Sequence, residues 1–328
     1  MLRWGIFALK MLVFSTIRII ILIGITKRMF YQRISAIILF TAFSVNSFAS
    51  ECSAPDANVE VLQGDWGNGL SNHRYQSNTQ INSDNAGQLK LKWVFSLGDH
   101  KLPHSYPAIS TDTVYFGSPE GFVYALDKVT GCQRWKYEVG DDIRTGIGLY
   151  LIENKMSDIK IPTLIFGGEG AWVYALNAVT GELLWKYLAT EHPFGMMTGT
   201  PAYHNGVVYI PVSSFEMILS VVPFFSCCNF SGALVAVDGL TGKRIWSRNT
   251  IDEQATLQSR TILGVARQGP SGASVWSQPA IVPELGLALI GTSENYTYPA
   301  TDDSDAIIAI DLKTGEKIWQ TQLTLNDV

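Results

Sequence analysis

One unit recurs four times along this chain and governs what it can fold into: an apolar stretch, an Asp or Asn, two residues, Thr-Gly, three residues and a Trp. The copies are VYALDKVTGCQRW (Val123 to Trp135), VYALNAVTGELLW (Val173 to Trp185), LVAVDGLTGKRIW (Leu234 to Trp246) and IIAIDLKTGEKIW (Ile307 to Trp319). Their Asp or Asn positions, 127, 177, 238 and 311, are 50, 61 and 73 residues apart. In each copy two β-rich stretches flank a turn. The Asp127 side chain can bond its own backbone two residues on, Gly131 can take a positive φ, and Trp135 is expected to pack on the outgoing strand. Upstream runs such as Thr113–Gly117 (TVYFG) and Gly206–Val212 (GVVYIPV) add further strands. Four short strands in about fifty residues is the size of one propeller blade. A lone D-x-x-T-G means little; four copies in register with a Trp predict an all-β fold, a β-propeller of four-stranded blades.

The composition agrees. The chain is 47% hydrophobic and 16% charged, with 29 Gly and 9 Trp in 328 residues. So little charge argues against a long surface helix or coiled coil. A net charge of −5 without a basic block argues against nucleic acid, since phosphate binding needs clustered Lys and Arg.

Residues 1–49 read differently. From Met29 the chain runs MFYQRISAIILFTAFSVNSFAS, with Arg33, an apolar run from Ile34 to Val45, and Ser47 and Ala49 at −3 and −1 of a cleavage site after Ala49. That is a secretory signal, and its apolar run is too short for a membrane span of about 20 residues. Translation is expected to start at Met29. The upstream stretch Leu2 to Ile25 carries Arg3, Lys10 and Arg18 and would add a membrane anchor if translated. Residues 50–328 form the propeller domain, exported to the periplasm. The four cysteines, Cys52, Cys132, Cys227 and Cys228, all follow the signal and would meet an oxidising compartment. No C-x-x-C-H is present, so no attached c-type haem is encoded in these residues.

The D-x-x-T-G-x-x-x-W unit resembles the tryptophan-docking blade motif of the pyrroloquinoline-quinone (PQQ) dehydrogenases, over roughly Trp66 to Val328. The opening WGNGLSNHRYQ (Trp66 to Gln76) and LKLKWVFSLG (Leu89 to Gly98) look like that family's lead-in segment. VSSFE, SCCNFSGALVAVD and GPSGASVWSQPAI are similar to polyvinyl-alcohol-dehydrogenase-like members. That family closes a ring of about eight blades. The copies here build about four or five, so the chain is expected to be C-terminally truncated, with a complete smaller propeller as the alternative.

The resemblance implies PQQ and Ca²⁺ as cofactors. PQQ is a flat, anionic quinone, so its site needs cations, an aromatic face and a divalent metal acting as Lewis acid, with a carboxylate base beside it. By matched context Glu216 and Asn295 are the metal ligands, hard oxygen donors of the kind Ca²⁺ takes. From the residues alone they read as a surface Glu and an ordinary turn Asn; Glu294 and Asp302 stand nearby. Asp327, eight residues after Trp319, matches the catalytic base. Trp276, outside the repeat positions, matches the indole beneath the quinone. Arg144 matches a cofactor-contacting Arg of the family, Thr198 and Thr200 are further candidates for the anionic groups, and Ser213 and Ser214 add hydrogen bonds before Glu216. Cys227 and Cys228 form either a vicinal disulfide near the cofactor or separate bridges or free thiols in a loop. His104, His192 and His204 have no metal-ligand spacing. The implied activity is oxidation of small or polymeric alcohols, with electrons leaving to a separate cytochrome c. The alternatives are a non-catalytic propeller scaffold for other proteins and an inactive remnant of a disrupted gene.

Overall fold

At each Asp- or Asn-x-x-Thr-Gly turn the side chain bonds its own backbone, two residues on at positions 127, 177 and 311 and three residues on at all four. Asp127 Oδ1 accepts from the N–H groups of Val129 (3.0 Å) and Thr130 (2.7 Å) and from the Thr130 hydroxyl (2.8 Å). Asn177 Oδ1 accepts from Val179 and Thr180, Asp238 Oδ1 from Thr241, and Asp311 Oδ1 from Lys313 and Thr314. The glycine that follows is left-handed each time, with φ of 74°, 76°, 69° and 76° at Gly131, Gly181, Gly242 and Gly315. This computed structural model describes residues 52–328 except 77–78, 98–102, 155–156 and 158. The expected leader, residues 1–49, lies outside the described residues, as does the candidate start Met29.

Each turn joins two strands of an antiparallel meander, and the described residues form four such sheets. The first runs Val61–Gln63, Ala108–Ser110, Thr113–Gly117, Phe122–Asp127 and Gln133–Glu138. The second runs Gly148–Asn154, Ile159–Gly167, Trp172–Asn177 and Leu183–Leu188. In the third, Val207–Ser214 pairs with both Gly195–Met196 and Ala202–His204 on one side and leads through Ala233–Asp238 to Arg244–Asn249. The fourth runs Ala280–Val282, Leu287–Gly291, Ala306–Asp311 and Lys317–Gln322. Two small pairs lie outside the meanders, a hairpin of Thr256–Arg260 with Ala266–Gly269 and a short pairing of Ser271–Gly272 with Asn295–Thr297.

The sheets stack face to face because their inner strands are apolar on both faces. Successive strand residues point to opposite sides. Tyr174 and Leu176 therefore enter a core shared with the first sheet, containing Tyr115, Val123 and Ala125. Val173 and Ala175 enter a different core, with Val208, Ile210, Val235 and Val237 of the third sheet. Leu234, Ala236 and Tyr209 face the fourth sheet, against Ala288, Ile290, Ile308 and Ile310. A near-continuous run such as VYALN or LVAVD is the signature of a strand covered on both sides.

The Trp of each repeat does something its own copy does not reveal. Trp135 lies on the outgoing strand, but its indole packs against the turn of the next sheet and not along its own strand. Its N–H donates to the Ala178 carbonyl (3.2 Å). Trp185 donates to Gly239 (2.9 Å) and Trp246 to Leu312 (3.1 Å), in each case the residue after the turn's Asp or Asn. Trp93, in the lead-in LKLKWVFSLG, makes the same bond to Lys128 (3.1 Å) and so supplies the first turn's indole. The turn glycine lies under the ring: a Cβ at Gly131, Gly181, Gly242 or Gly315 would sit 2.7, 2.9, 2.7 or 2.7 Å from indole carbons. All four turns are thereby covered, and Trp319, the last copy, is 43% exposed.

A polar clasp strengthens the first turn. Arg134, its side chain 3% exposed, reaches Asp112, Asp127 and the Thr113 hydroxyl, and a Cys52–Cys132 disulfide ties the start of the described chain to the same turn. Burial works to raise the Asp112 and Asp127 carboxyls. Bonds from Arg134 and neighbouring hydroxyls and N–H groups outweigh it and hold both at about 2, against an ordinary 3.8.

Trp185→Phe removes the donor from the buried Gly239 carbonyl and is expected to cost about 1–3 kcal/mol in urea unfolding. Gly242→Ala forces a side chain into left-handed backbone under an indole and is expected to cost at least about 1–2 kcal/mol. The depressed carboxyls add stability that is fully present above pH 3.8 and is lost as pH falls toward about 2. Asn already serves at position 177, so Asp127→Asn is expected to keep the turn and flatten the acid limb of the stability curve between those values, read by circular dichroism.

Candidate functional site

The candidate site residues lie where the meanders end and the chain passes between sheets. Four of them surround one cavity of about 300 Å³: Arg144, Thr198, Thr200 and Trp276. Arg144 stands in the segment between the first two sheets, and Thr198 and Thr200 between Gly195–Met196 and Ala202–His204 of the third. Trp276 stands between the Ser271–Gly272 pairing and the fourth sheet.

The threonines build the wall instead of projecting from it. Thr200, 3% exposed, accepts the Gly146 N–H at 2.8 Å. A Cβ on Gly146 would lie 2.7 Å from that same hydroxyl, so glycine is what allows the approach two residues after Arg144. The Thr198 hydroxyl donates to the Trp276 carbonyl at 3.1 Å. A Cβ on Gly199 would meet the Ser277 carbonyl at 2.7 Å, so segment 198–200 runs hard against segment 276–277. Trp276 is half-buried at the rim, and Arg144, also half-buried, is 3.5 Å from Glu169.

Sequence reasoning missed the rest of this wall. Trp66, Arg74, His104 and Gln278 also line the cavity. The Arg74 guanidinium sits 4.5 Å over the Trp66 ring, and Trp66 packs edge-on against Tyr106. The lead-in segment reaches this place because it bridges distant sheets. Gln278 accepts the Gly67 N–H (3.2 Å), and the Leu70 carbonyl accepts from Ile281 in the fourth sheet (2.9 Å). The signal was present in WGNGLSNHRYQ, a Trp and an Arg outside every repeat position, but only tertiary contact places them opposite Trp276.

The other candidates fall outside this lining. Ser213 and Ser214 are fully buried at the end of Val207–Ser214, with hydroxyls donating to the Met196 and Phe194 carbonyls (3.1 and 3.0 Å). Glu216 begins a single helical turn, Glu216–Leu219, and is 2% exposed. Its Oε2 accepts the Asn229 and Phe230 N–H groups (3.2 and 3.0 Å), and Oε1 lies 3.6 Å from His192 Nε2. Cys227 and Cys228 are joined as a vicinal disulfide, and one ligand atom from each lies within 4.8 Å of a Glu216 carboxylate oxygen. His192, set aside in the sequence for want of spacing, thus meets Glu216 through space.

Asn295 is fully buried and lines a second cavity of about 630 Å³ with Met217, Arg267, Tyr296 and Tyr298. Its amide oxygen accepts the Thr301 N–H at 2.7 Å, and its amide nitrogen donates to Ser271 (3.1 Å). Its backbone N–H donates to the Asp327 carbonyl at 3.0 Å, which sets Asp327 beside it. Tyr296 links the two groups of candidates. Its hydroxyl bonds the Ser274 hydroxyl (2.5 Å) and reaches the Ser214 carbonyl (3.4 Å), and burial pushes its pKa well up.

A family model described as "PQQ: Glucose/ethanol/alcohol dehydrogenase, beta-propeller domain" matches residues 64–328. The chain belongs to this family. PQQ-family members bind PQQ and a Ca²⁺ or lanthanide ion. Among named relatives, a polyvinylalcohol dehydrogenase from Pseudomonas sp. is 33% identical over 80% of this chain and 40% of its own length. A second, from Sphingopyxis sp., is 33% identical over 85% of this chain and 43% of its own. The chain thus spans about two fifths of the relatives it matches. The solved quinohemoprotein alcohol dehydrogenase of Comamonas testosteroni superposes with a TM-score of 0.63 at 20% identity, over 81% of this chain and 42% of its own, a likeness of fold.

The donor chemistry of this PQQ-family propeller fits both groups. Two guanidiniums and two indoles around one cavity suit a flat polyanion, since Arg offers planar paired donors to carboxylates and indoles offer a stacking face. A buried carboxylate and a buried carboxamide, Glu216 and Asn295, are hard oxygen donors of the kind calcium takes. Among the described residues no helix is long and apolar enough to cross a membrane.

Proposed function

We propose that this chain is the PQQ-binding part of a periplasmic alcohol dehydrogenase of the polyvinyl-alcohol type. The observation that carries this reading is the cavity where Arg74, Arg144, Trp66 and Trp276, four residues from three distant segments, converge. None of the four occupies a repeat position, so the propeller itself does not require them there.

Bound there, PQQ supplies a two-electron acceptor for the alcohol's hydride, and calcium supplies Lewis acidity at its reactive carbonyl. The chain's own residues do the rest. Arg144 and Arg74 hold the carboxylates, and Trp276 and Trp66 offer flat faces that keep water from the ring. The Thr198 hydroxyl fixes the backbone that carries Trp276. Glu216 and Asn295 are the oxygen donors for calcium. Asp327, held beside Asn295, takes the hydroxyl proton of the alcohol on its carboxylate. A secondary alcohol, free or within a polymer, is the substrate class, supported by the names of two relatives, both polyvinylalcohol dehydrogenases. A cytochrome c takes the electrons, supported by the name of one relative, 1-butanol dehydrogenase (cytochrome c). The signal pattern before Ala49 and the two disulfides support an oxidising, exported setting.

The test is titration of PQQ with Ca²⁺ into the chain from Ser50, read by tryptophan fluorescence and then by dye-linked oxidation of secondary alcohols. Saturable quenching is expected, weakened at least about tenfold by Arg144→Ala, a charge-assisted contact of roughly 1.5–3 kcal/mol, and diminished by Trp276→Ala. A folded chain whose fluorescence ignores PQQ would overturn the reading and leave a propeller scaffold.

A further inference from the structure

The loop that leaves the third sheet after Ser214 makes one helical turn, passes the exposed Val221 and Phe224, and returns through Cys227 and Cys228. Its outer part is pinned by Arg267, whose guanidinium donates to the Ser220 and Val222 carbonyls (2.8 and 3.2 Å). Its returning part is pinned to the strand Ala266–Gly269. Cys227 donates to Ala266 (3.2 Å) and accepts from Gln268 (2.7 Å), and Cys228 donates to Gln268 (3.4 Å). The next two peptide N–H groups, Asn229 and Phe230, then converge on a single atom, Glu216 Oε2.

Two successive N–H groups converge on one oxygen only while the backbone that carries them keeps that turn. A disulfide between neighbouring cysteines closes an eight-membered ring and removes most of the torsional freedom of both residues. Here that ring stands immediately before the two donors. The opposite side of the carboxylate faces His192. His192 Nδ1 accepts the Phe194 N–H (3.3 Å), so Nε2 carries the proton, 2.9 Å from Asn229 Oδ1 and 3.6 Å from Glu216 Oε1. With Oε2 committed to the two peptides, Oε1 is the oxygen left for a cation.

We propose that the Cys227–Cys228 disulfide is a positioning device for Glu216, holding the Asn229 and Phe230 N–H groups on Oε2 so that Oε1 is presented to calcium, and that its redox state therefore sets the calcium affinity of the chain. The proposal rests on the reading above that Glu216 is a calcium ligand. Cys227 and Cys228 act through Glu216 and touch neither alcohol nor quinone in this scheme. Opening the ring takes an external dithiol, which gives two electrons and two protons to the sulfur pair; two thiols form and the dithiol becomes a cyclic disulfide. The freed backbone then lets the two N–H groups leave Oε2.

The test uses the whole chain from Ser50, with C227S/C228S, which keeps the Cys52–Cys132 bridge, and with E216Q. Hydrogen exchange of peptides spanning 226–232 reads the clasp without any metal. Exchange at Asn229 and Phe230 is expected to rise at least about tenfold in the serine pair and in dithiol-treated wild type, with the Thr314 turn, which carries no cysteine, unchanged. Calorimetric titration with Ca²⁺ is expected to show a loss of about tenfold or more in both, the usual effect of removing a partner that orients a metal ligand. E216Q should remove most binding, and adding the serine pair to it should cost nothing further. Dithiol added to the serine pair reports the contribution of the other bridge. If the serine pair does not fold, reduced wild type carries the same two readouts. Unchanged exchange at 229–230 on reduction overturns the proposal, as does equal calcium affinity of oxidised and reduced chain when E216Q still binds weakly. If E216Q binds calcium like wild type, the calcium reading fails and the affinity half of the proposal falls with it, while the exchange readout still decides whether the ring holds the clasp.

Discussion

An indole resting on a neighbour's turn holds this molecule together. The Asp or Asn shapes the turn, the left-handed glycine leaves room over it, and the Trp that covers it comes from the sheet before or, at the first turn, from the lead-in. Each depends on the others: without the left-handed glycine the ring has no seat, and without the ring a buried carbonyl loses its donor. The repeat seen in sequence is therefore two halves of two different junctions. Its strand and turn receive one indole while its own Trp serves the next sheet. Apolar residues alternating to both faces of the inner strands continue the same coupling through the core, so stability is built from nearest-neighbour interfaces, as in other repeat architectures.

This regularity leaves the ends of the strands free to vary, and the candidate site is built there. The spacing between turns grows from 50 to 61 and then 73 residues. The additional residues do not enter the meanders. They form the loop from Glu216 to Phe230, the hairpin of Thr256–Arg260 with Ala266–Gly269, and the Ser271–Gly272 pairing with Asn295–Thr297. The hydroxyls of Thr198, Thr200, Ser213 and Ser214, which precede these insertions, bond backbone groups. Those of Thr198 and Thr200 tie their segment to the segments carrying Trp276 and Arg144, which share one cavity with Trp66 and Arg74. Ordinary structural bonds thereby place the chemically versatile side chains.

Charge is arranged with similar economy. Arg134 is buried between two carboxylates and serves the turn, whereas Arg74 and Arg144 stand at a cavity wall where an anion can reach them. Among the described residues Glu216 has no guanidinium partner; two peptide N–H groups and an imidazole surround it instead. A buried carboxylate solvated in this way keeps its capacity to accept a cation.

Much of the fold was legible in sequence because it is written in short-range terms. A side chain two or three residues from the backbone it bonds, a glycine at a fixed offset and an apolar run of five residues are all visible along the chain, and they determine the turns and the strands. The family motifs carried Arg144, Trp276, Glu216 and Asn295 as candidates. What the sequence did not contain was which turn each indole covers, the role of Trp93, or the meeting of Trp66 and Arg74 with Trp276. It left the pairing of Cys227 and Cys228 open and gave no hint that His192 faces Glu216. Those are contacts between residues dozens to hundreds of positions apart, and no local preference encodes them. They are decided when sheets stack on their apolar faces, because that packing alone fixes which strand ends arrive at the same place.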